Sequence, residues 1–316
     1  MCKTTMWKHG TTKQGKVRWY CKNCKRSNIR KRVDVTWKKY DRLVVEWIVE
    51  GKKLKHIAKE FGLHKQYVQN ITHRHLTTYT VPNHDRALHT TKPLILDGTW
   101  IVWRYLIVLV AHDTERVVDW MFASNESFLT WSQFLEQLQG RPCGVVSDAQ
   151  KGLLQAVFRR FGTIPHQRCI AHITRQSRLW LTKHPRSDAG TELLLLVNLL
   201  HTIKSNTEKE SWNKSFEQWL ATYANLLKEK TFGIGKKWWY THRKLRAVRS
   251  LLLRANAMMF TYLDHQLPPT TNHLEGGINS PLKFCFKEHR GLSPEHKKQV
   301  VNLFLNARAQ KNKTQH

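Results

Sequence analysis

LILDGTW at residues 94–100, followed by IVWRYLIVLVAHDTERVVDWMFA at 101–123, decides the fold. Leu94-Ile95-Leu96 is a short apolar run. Arg104–Ala111 is a second and stronger one, and Val117–Phe122 is a third. The polar stretch His112–Arg116 between the last two has the composition of a hairpin turn. Runs of this length bounded by turn residues predict three consecutive strands. A helical pattern follows around Thr130–Leu138. Val145-Val146-Ser147-Asp148 then reads as a fourth strand, with its own helix over Leu153–Phe161.

Three strands, a helix, a strand and a helix predict an α/β unit of ribonuclease H-like type. Only helical patterns, rich in Leu, Trp, Lys and Arg, are read from about 185 to 267, so an all-helical insertion is expected there. A last helix begins near Asn272.

Upstream of Pro93 the character changes. Residues 77–91 are Thr-rich and polar and read as a linker. Before them, 37–76 reads as helical throughout. Leu43, Trp47 and Ile48 form one stripe, Leu54, Ile57, Ala58 and Phe61 a second, and Tyr67, Val68, Ile71 and Leu76 a third, punctuated by Gly51 and Gly62. Helix, glycine-containing turn, helix at this length predicts a helix-turn-helix over 37–80. The third segment would be its recognition helix, offering Lys65, Gln66, Gln69, Asn70 and Arg74 to base edges and phosphates. An ordinary three-helix packing unit would show the same stripes.

Residues 1–36 are basic and poor in aliphatics. Cys21 and Cys24 have the C-x2-C spacing of a zinc ribbon, and Cys2 lies upstream. A closed structural zinc site needs four ligands, and these cysteines supply three. A cysteine upstream of the given start, His9, or a degenerate knuckle would each account for the shortfall. A disordered basic arm is the plain alternative.

The 316 residues carry 53 Lys and Arg against 23 Asp and Glu, a formal net charge of +30. A chain this basic is expected to meet a polyanion, with nucleic acid first among candidates. Hydrophobic content of 41% supports a packed core rather than a disordered tail. No run of 18 apolar residues occurs, so no membrane span is expected. The scattered cysteines fit a reducing compartment and no disulfide scaffold.

Asp97 and Asp148 each stand at the end of an apolar strand. Buried carboxylates on neighbouring strands repel each other unless a cation meets them. Hard oxygen donors of this kind suit Mg²⁺ or Mn²⁺. Glu275, in Thr-Thr-Asn-His-Leu-Glu-Gly-Gly at 270–277, is a candidate third ligand. Equally, Asn272 could cap a helix with Glu275 at its third position. Gly276 and Gly277 weaken a helix interior by about 1 kcal/mol each, a local conflict typical of a functional site. Asp119, in a strand, is a rival ligand, whereas Asp113 and Glu115 read as solvated turn residues. Cys169 and His172 alone suggest half a zinc site or a packed pair. In the insertion, Trp212, Trp219, Trp238 and Trp239 read mostly as core. Trp238 or Trp239 could instead stack on an unpaired base, with Arg243 and its basic neighbours on phosphates.

Taken together, these blocks resemble the bacterial insertion-sequence transposases of the Mutator superfamily, a group of DDE enzymes. The resemblance rests on Asp-Gly-Thr at 97–99, Ser-Asp-Ala-Gln-Lys-Gly at 147–152, Cys169-x2-His172 after His-Gln-Arg at 166–168, and Thr271-Asn272 with Glu275-Gly276, Asn279, Leu282 and His-Arg-Gly at 289–291. It implies a ribonuclease H-like catalytic domain over 92–310, with its helical insertion. It implies that Asp97, Asp148 and Glu275 bind two Mg²⁺ or Mn²⁺ ions, with Cys169, His172 and Asn272 in support. The expected activity is cleavage and joining of DNA strands at terminal inverted repeats by a cytoplasmic, nucleoid-associated bacterial protein. A homodimer or larger assembly is expected, because two element ends must be joined. Zinc at Cys2, Cys21 and Cys24 is the further cofactor candidate. A transposase-derived DNA-binding protein without activity, and a ribonuclease H-like nuclease, are the rival functions.

Overall fold

The computed structural model describes residues 4–29, 42–235, 237–288 and 291–310. It divides into two compact units that meet between Thr80 and Val81.

The first unit opens with an antiparallel sheet of β1 (Trp7–Thr11), β2 (Val17–Tyr20) and β3 (Ser27–Asn28), in that order. Three helices follow: α1 at 42–48, α2 at Leu54–Glu60 and α3 at Lys65–Thr78. Leu43, Val44, Trp47, Ile48, Ile57, Ala58, Val68 and Leu76 are their buried apolar residues. Gly51 and Gly62 adopt φ of +69° and +63°, a conformation that costs glycine little, and so turn the chain between helices. Glu46 is buried but paired with Arg42 at 2.9 Å and Lys52 at 3.0 Å. Tyr67, read as part of the apolar stripe, is exposed instead. Residues 37–41 of the predicted helical stretch, and Cys2, lie outside the described residues.

The second unit is mixed α/β. Its five-stranded sheet contains β5 (Leu94–Val102), β6 (Leu106–His112), β7 (Val117–Ala123), β9 (Val145–Ser147) and β10 (His166–Arg168), ordered β10-β9-β5-β6-β7. The β5–β6 and β6–β7 pairs are antiparallel, whereas β5–β9 and β9–β10 are parallel. A short parallel pair, β4 (Ala87–Leu88) with β8 (Gln139–Gly140), lies beside it. Helices α4 (Phe128–Glu136) and α5 (Lys151–Phe161) bury Trp131, Phe134, Leu153 and Val157 against Leu94, Leu96, Ile107 and Leu109.

The structure corrects the sequence reading in two places here. Asp97 does not end its strand. Thr99, Trp100 and Val102 continue to pair with β6 as far as Leu106, because aromatic and β-branched residues favour the pleated ladder. The strand β10 was not read at all. His-Gln-Arg lacks an apolar pattern, and its central Gln167 is buried because the side chain bonds the Met259 carbonyl and the Tyr262 N–H.

The insertion is built on α6 (Ile170–Leu181), α7 (Asp188–Leu199), α8 (Asn206–Thr222) and α9 (Arg243–Met259). Leu193, Val197, Trp212, Phe216, Trp219, Leu252 and Phe260 form its core. It is not all-helical: β11 (Lys230–Phe232) and β12 (Trp238–Tyr240) make an antiparallel hairpin before α9. The chain closes with α10 (Asn272–Leu274), a π turn at Glu275–Asn279, α11 (Ser280–Glu288) and α12 (Pro294–Gln310).

Candidate carboxylate centre

Asp97 and Asp148 are brought together by sheet register. Leu94 pairs with Val145 in the parallel β5–β9 ladder, and each aspartate lies three residues further on. Asp148 leaves β9 in a tight turn, where Ala149 has φ +58°, uncommon for a residue with a side chain. The turn is fixed by the Gln150 N–H donating to Asp148 Oδ1 at 3.0 Å and the Ala149 N–H donating to Ser147 Oγ at 3.0 Å.

Glu275 reaches the same place through a relay centred on Cys169. The Cys169 N–H donates to the Ser147 carbonyl at 2.7 Å. The Cys169 thiol receives the Thr271 N–H at 3.2 Å and lies 3.3 Å from Thr271 Oγ1. The strand bearing the second aspartate is thereby tied to the segment that begins the third acid's turn. Cys169 thus contacts Thr271, and His172 lies beside Glu275.

The same arrangement shapes the electrostatics. Burial lifts the Asp97 carboxyl to about 6; His172 opposes this, while the charges of Asp148 and Glu275 add to it. Asp97 accepts from Asn279 Nδ2 at 2.8 Å and from the Gly98 N–H at 3.0 Å. Burial acts against a charged His172, yet Cys169 and the charges of Asp97 and Glu275 push it up to about 9. Its Nε2 lies 3.4 Å from Glu275 Oε1, and Arg175 bonds the other carboxylate oxygen. The centre thus holds more carboxylate than cation, and Glu275 is the acid that carries the cationic partners.

The donor set fits a hard divalent cation. Asp97 is a desolvated carboxylate whose partners are neutral donors, and like charges crowd it. Among the described residues, however, no three His, Cys, Asp or Glu side chains converge closely enough as they stand to surround an ion.

Other expected residues fall elsewhere. Asp119 is buried, but His84 Nε2 and Arg86 Nε each reach it at 3.0 Å, and its own oxygen takes the Trp120 N–H. It anchors the segment at 84–86 rather than joining the centre. Asp113, read as solvated, is buried, and accepts the N–H groups of Glu115 and Arg116 at its turn. Asn272 does not cap a helix. Thr271 occupies the cap position without a side-chain bond, and Asn272 is exposed in the first turn. Glu275 accordingly serves no capping box. Gly276 and Gly277 face open space, with nothing within 4 Å of an added β-carbon.

In α3, Lys65, Gln66, Asn70 and Arg74 are exposed and Gln69 is half-buried. Trp212 and Trp219 are core residues whose indole N–H groups donate to the Leu196 and Ala189 carbonyls. Trp238 and Trp239 are substantially exposed on the hairpin, and Arg243 lies 5.5 Å from the Trp239 ring. In the first unit, Cys21 is buried and Cys24 exposed. The Cys24 N–H bonded to its sulfur, followed by Thr4, brings the Cys21 thiol down to about 6. His9 lies on β1 with its ring 5.2 Å from that of Tyr20.

Sequence reasoning missed Arg175 and Glu126, and named Asn279 in the last block without giving it a role. Asn279 stands four residues after Glu275, so helical spacing could have flagged it. Glu126, just before α4, gave no signal beyond its charge. Yet burial lifts its carboxyl to about 7, with Asp148 and Asp97 adding to the shift.

Residues 105–283 match the family described as "Transposase, Mutator family", and the chain belongs to that family. The matched span contains Asp148, Cys169, His172 and Glu275, while Asp97 precedes it. Over 76 residues the chain is 34% identical to the "Transposase for insertion sequence element IS256 in transposon Tn4001" of Staphylococcus aureus, covering 22% of this chain and 20% of that protein. Over 107 residues it is 30% identical to the "Transposase for insertion sequence element IS905" of Lactococcus lactis, covering 29% of this chain and 27% of that protein. The aligned stretches thus span only about a fifth to a quarter of these relatives. No helix among the described residues is long and apolar enough to cross a membrane.

Proposed function

We propose that this chain is a DNA transposase that recognises the terminal inverted repeats of a mobile element and cleaves and joins DNA strands at Asp97, Asp148 and Glu275. The observation that carries this reading is that, in a Mutator-family chain, the charges of Asp148 and Glu275 both act on the desolvated Asp97 carboxylate. The strand order of the second unit, three antiparallel strands followed by two parallel ones on the far side of the first, supports a ribonuclease H-like catalytic domain.

Asp97, Asp148 and Glu275 would hold two Mg²⁺ or Mn²⁺ ions, which supply an activated water or 3′-hydroxyl and stabilise the leaving oxygen in an in-line displacement. The protein's own groups prepare the site. Asn279 orients Asp97, and the Cys169–Thr271 relay sets the height of the turn bearing Glu275. Arg175 and His172 hold the Glu275 carboxylate and offer positive charge to a DNA phosphate. The open face at Gly276 and Gly277 lets a DNA backbone approach closely. The exposed face of α3 suits a recognition helix of a helix-turn-helix, and Trp238 and Trp239 suit stacking on unpaired bases near the cut. Cys21 and Cys24 would contribute two ligands of a zinc ribbon. Two element ends require an assembly of at least two copies.

A strand-transfer assay with Mg²⁺ or Mn²⁺ and a terminal-repeat duplex tests the proposal. Wild type is expected to nick and join, while Asp97→Asn, Asp148→Asn and Glu275→Gln each lose activity by several orders of magnitude with the fold intact. Equal joining by wild type and Asp97→Asn would refute it.

A further inference from the structure

We propose that Glu126 is a fourth carboxylate of this centre, seated on the bare α-carbon of Gly98 and taking part in holding the divalent ions. The inference deepens the transposase reading and rests on it.

The first support is steric. A β-carbon on Gly98 would fall 1.7 Å from Glu126 Oε1 and 2.9 Å from its Cδ. Real β-carbons do not approach other heavy atoms so closely. The Glu126 carboxyl therefore occupies the space that a side chain at position 98 would fill, one residue along β5 from Asp97. The glycine of the Asp-Gly-Thr block gains a specific reason in this geometry: it makes room for a second acid. The strand itself does not need a glycine there, since φ at Gly98 is not among the positive values.

The second support comes from a different glycine. A β-carbon on Gly152 would meet the Phe128 nitrogen at 2.9 Å and the Ser127 carbonyl carbon at 3.2 Å. Gly152 lies in the first turn of α5, four residues after Asp148. It lets the start of α4, and the loop holding Glu126, pack down onto the turn that presents Asp148. That loop is fixed by Ser127, whose Oγ accepts the Thr130 N–H at 3.2 Å and which caps α4. Both aspartate blocks thus carry a glycine where the Glu126 loop presses in.

The third support is charge. Among the described residues, no Lys, Arg or His lies within ion-pairing distance of Glu126, Asp97 or Asp148, whereas Glu275 has both Arg175 and His172. A half-buried acid near two further acids, with the charge of His172 acting on it only from beyond ion-pairing distance, is stabilised by a positive ligand. An exposed acid before a helix cap would show none of these features.

The test measures Mn²⁺ binding to the full-length protein by electron paramagnetic resonance and calorimetry, without DNA. Glu126→Gln is expected to weaken Mn²⁺ binding about tenfold or more while leaving metal-free thermal stability equal to or above wild type. Gly98→Ala keeps the Glu126 charge but pushes its carboxylate off its seat, and is expected to weaken binding several-fold as well. Because the ends of the Glu126 and Ile107 side chains are what must shift, Ile107 by only a few tenths of an ångström, it should fold normally. Asp97→Asn is the reference. If Asp97→Asn loses Mn²⁺ while Glu126→Gln binds as wild type, this inference fails and the transposase centre stands. If neither variant changes binding, the metal reading of the whole centre fails with it. Wild-type binding by Gly98→Ala would overturn the seat on residue 98.

Discussion

At residue scale, Asp119 and Asp97 show how one residue type on two strands of one sheet serves two ends. Asp119 is neutralised in place by His84 and Arg86. Asp97 has only the Asn279 amide and one backbone N–H as donors. Asp119→Asn is expected to cost about 1–3 kcal/mol of stability, the usual cost of unpairing buried polar groups. It should leave Mn²⁺ binding unchanged, as denaturation and calorimetry on the same preparation would show. A loss of metal affinity in that variant would restore Asp119 as a ligand. The sequence could not separate the two acids, because both stand in apolar strands and the partners of Asp119 come from residues read as a linker. His166 offers a pH test away from the acids. Burial brings its ring down to about 4, from an ordinary 6.5, and Ser147 Oγ shares a hydrogen bond with it at 2.8 Å. A depressed imidazole contributes stability above pH 6.5 that is lost as pH falls through about 4. The contribution of His166 to the urea midpoint should therefore decline over that window, and the difference in midpoint between wild type and His166→Gln should change with pH across it. An unchanged slope in that variant would remove His166 from the account.

At element scale, the elements that sequence periodicity revealed are the ones whose own residues carry their burial. β6, buried along its whole length, and α5, with a clear apolar face, are of this kind. β10 and the β11–β12 hairpin are not. The hairpin strands are three residues long and lean on rings and cations: Lys230 lies 4.0 Å from the Trp238 ring, and Arg246 lies 3.5 Å from that of Tyr240. Such contacts have no period, and the segment sits between strong helical patterns, so a helical reading of the whole insertion was the natural error. Phe232 and Ile234 near the hairpin tip are also exposed. Replacing Trp238 or Trp239 with Ala is expected to weaken binding to DNA with unpaired bases by about 1–3 kcal/mol per lost stack. The core of the insertion should keep its melting temperature, because neither ring belongs to it. Equal affinity in fluorescence titrations would mean that the hairpin faces something else. The α8 terminus is a simpler case: Ser205 and Glu208 form a reciprocal capping box, so Ser205→Ala should cost about 1 kcal/mol, read from chemical denaturation.

At the scale of the whole molecule, the formal charge of +30 was the broadest sequence signal. It predicts DNA affinity that falls steeply with salt. Removing one phosphate-facing cation from α3, by Lys65→Ala or Arg74→Ala, should reduce the slope of log affinity against log salt by about 1. An unchanged slope would take α3 off the DNA. The α/β class and the order of its first strands and helices were legible, because local patterns specify them. The assembly of the centre was not, since it joins residues far apart in the chain. The Cys169–Thr271 contact spans 102 positions, and it makes the long helical excursion between them a loop with a fastened neck. Insertions or deletions at the outer bends of that loop would change what the protein can reach without displacing Glu275. The geometry of the carboxylate centre and the reach of the surrounding surface are therefore separately adjustable, and relatives with very different excursions can share one centre.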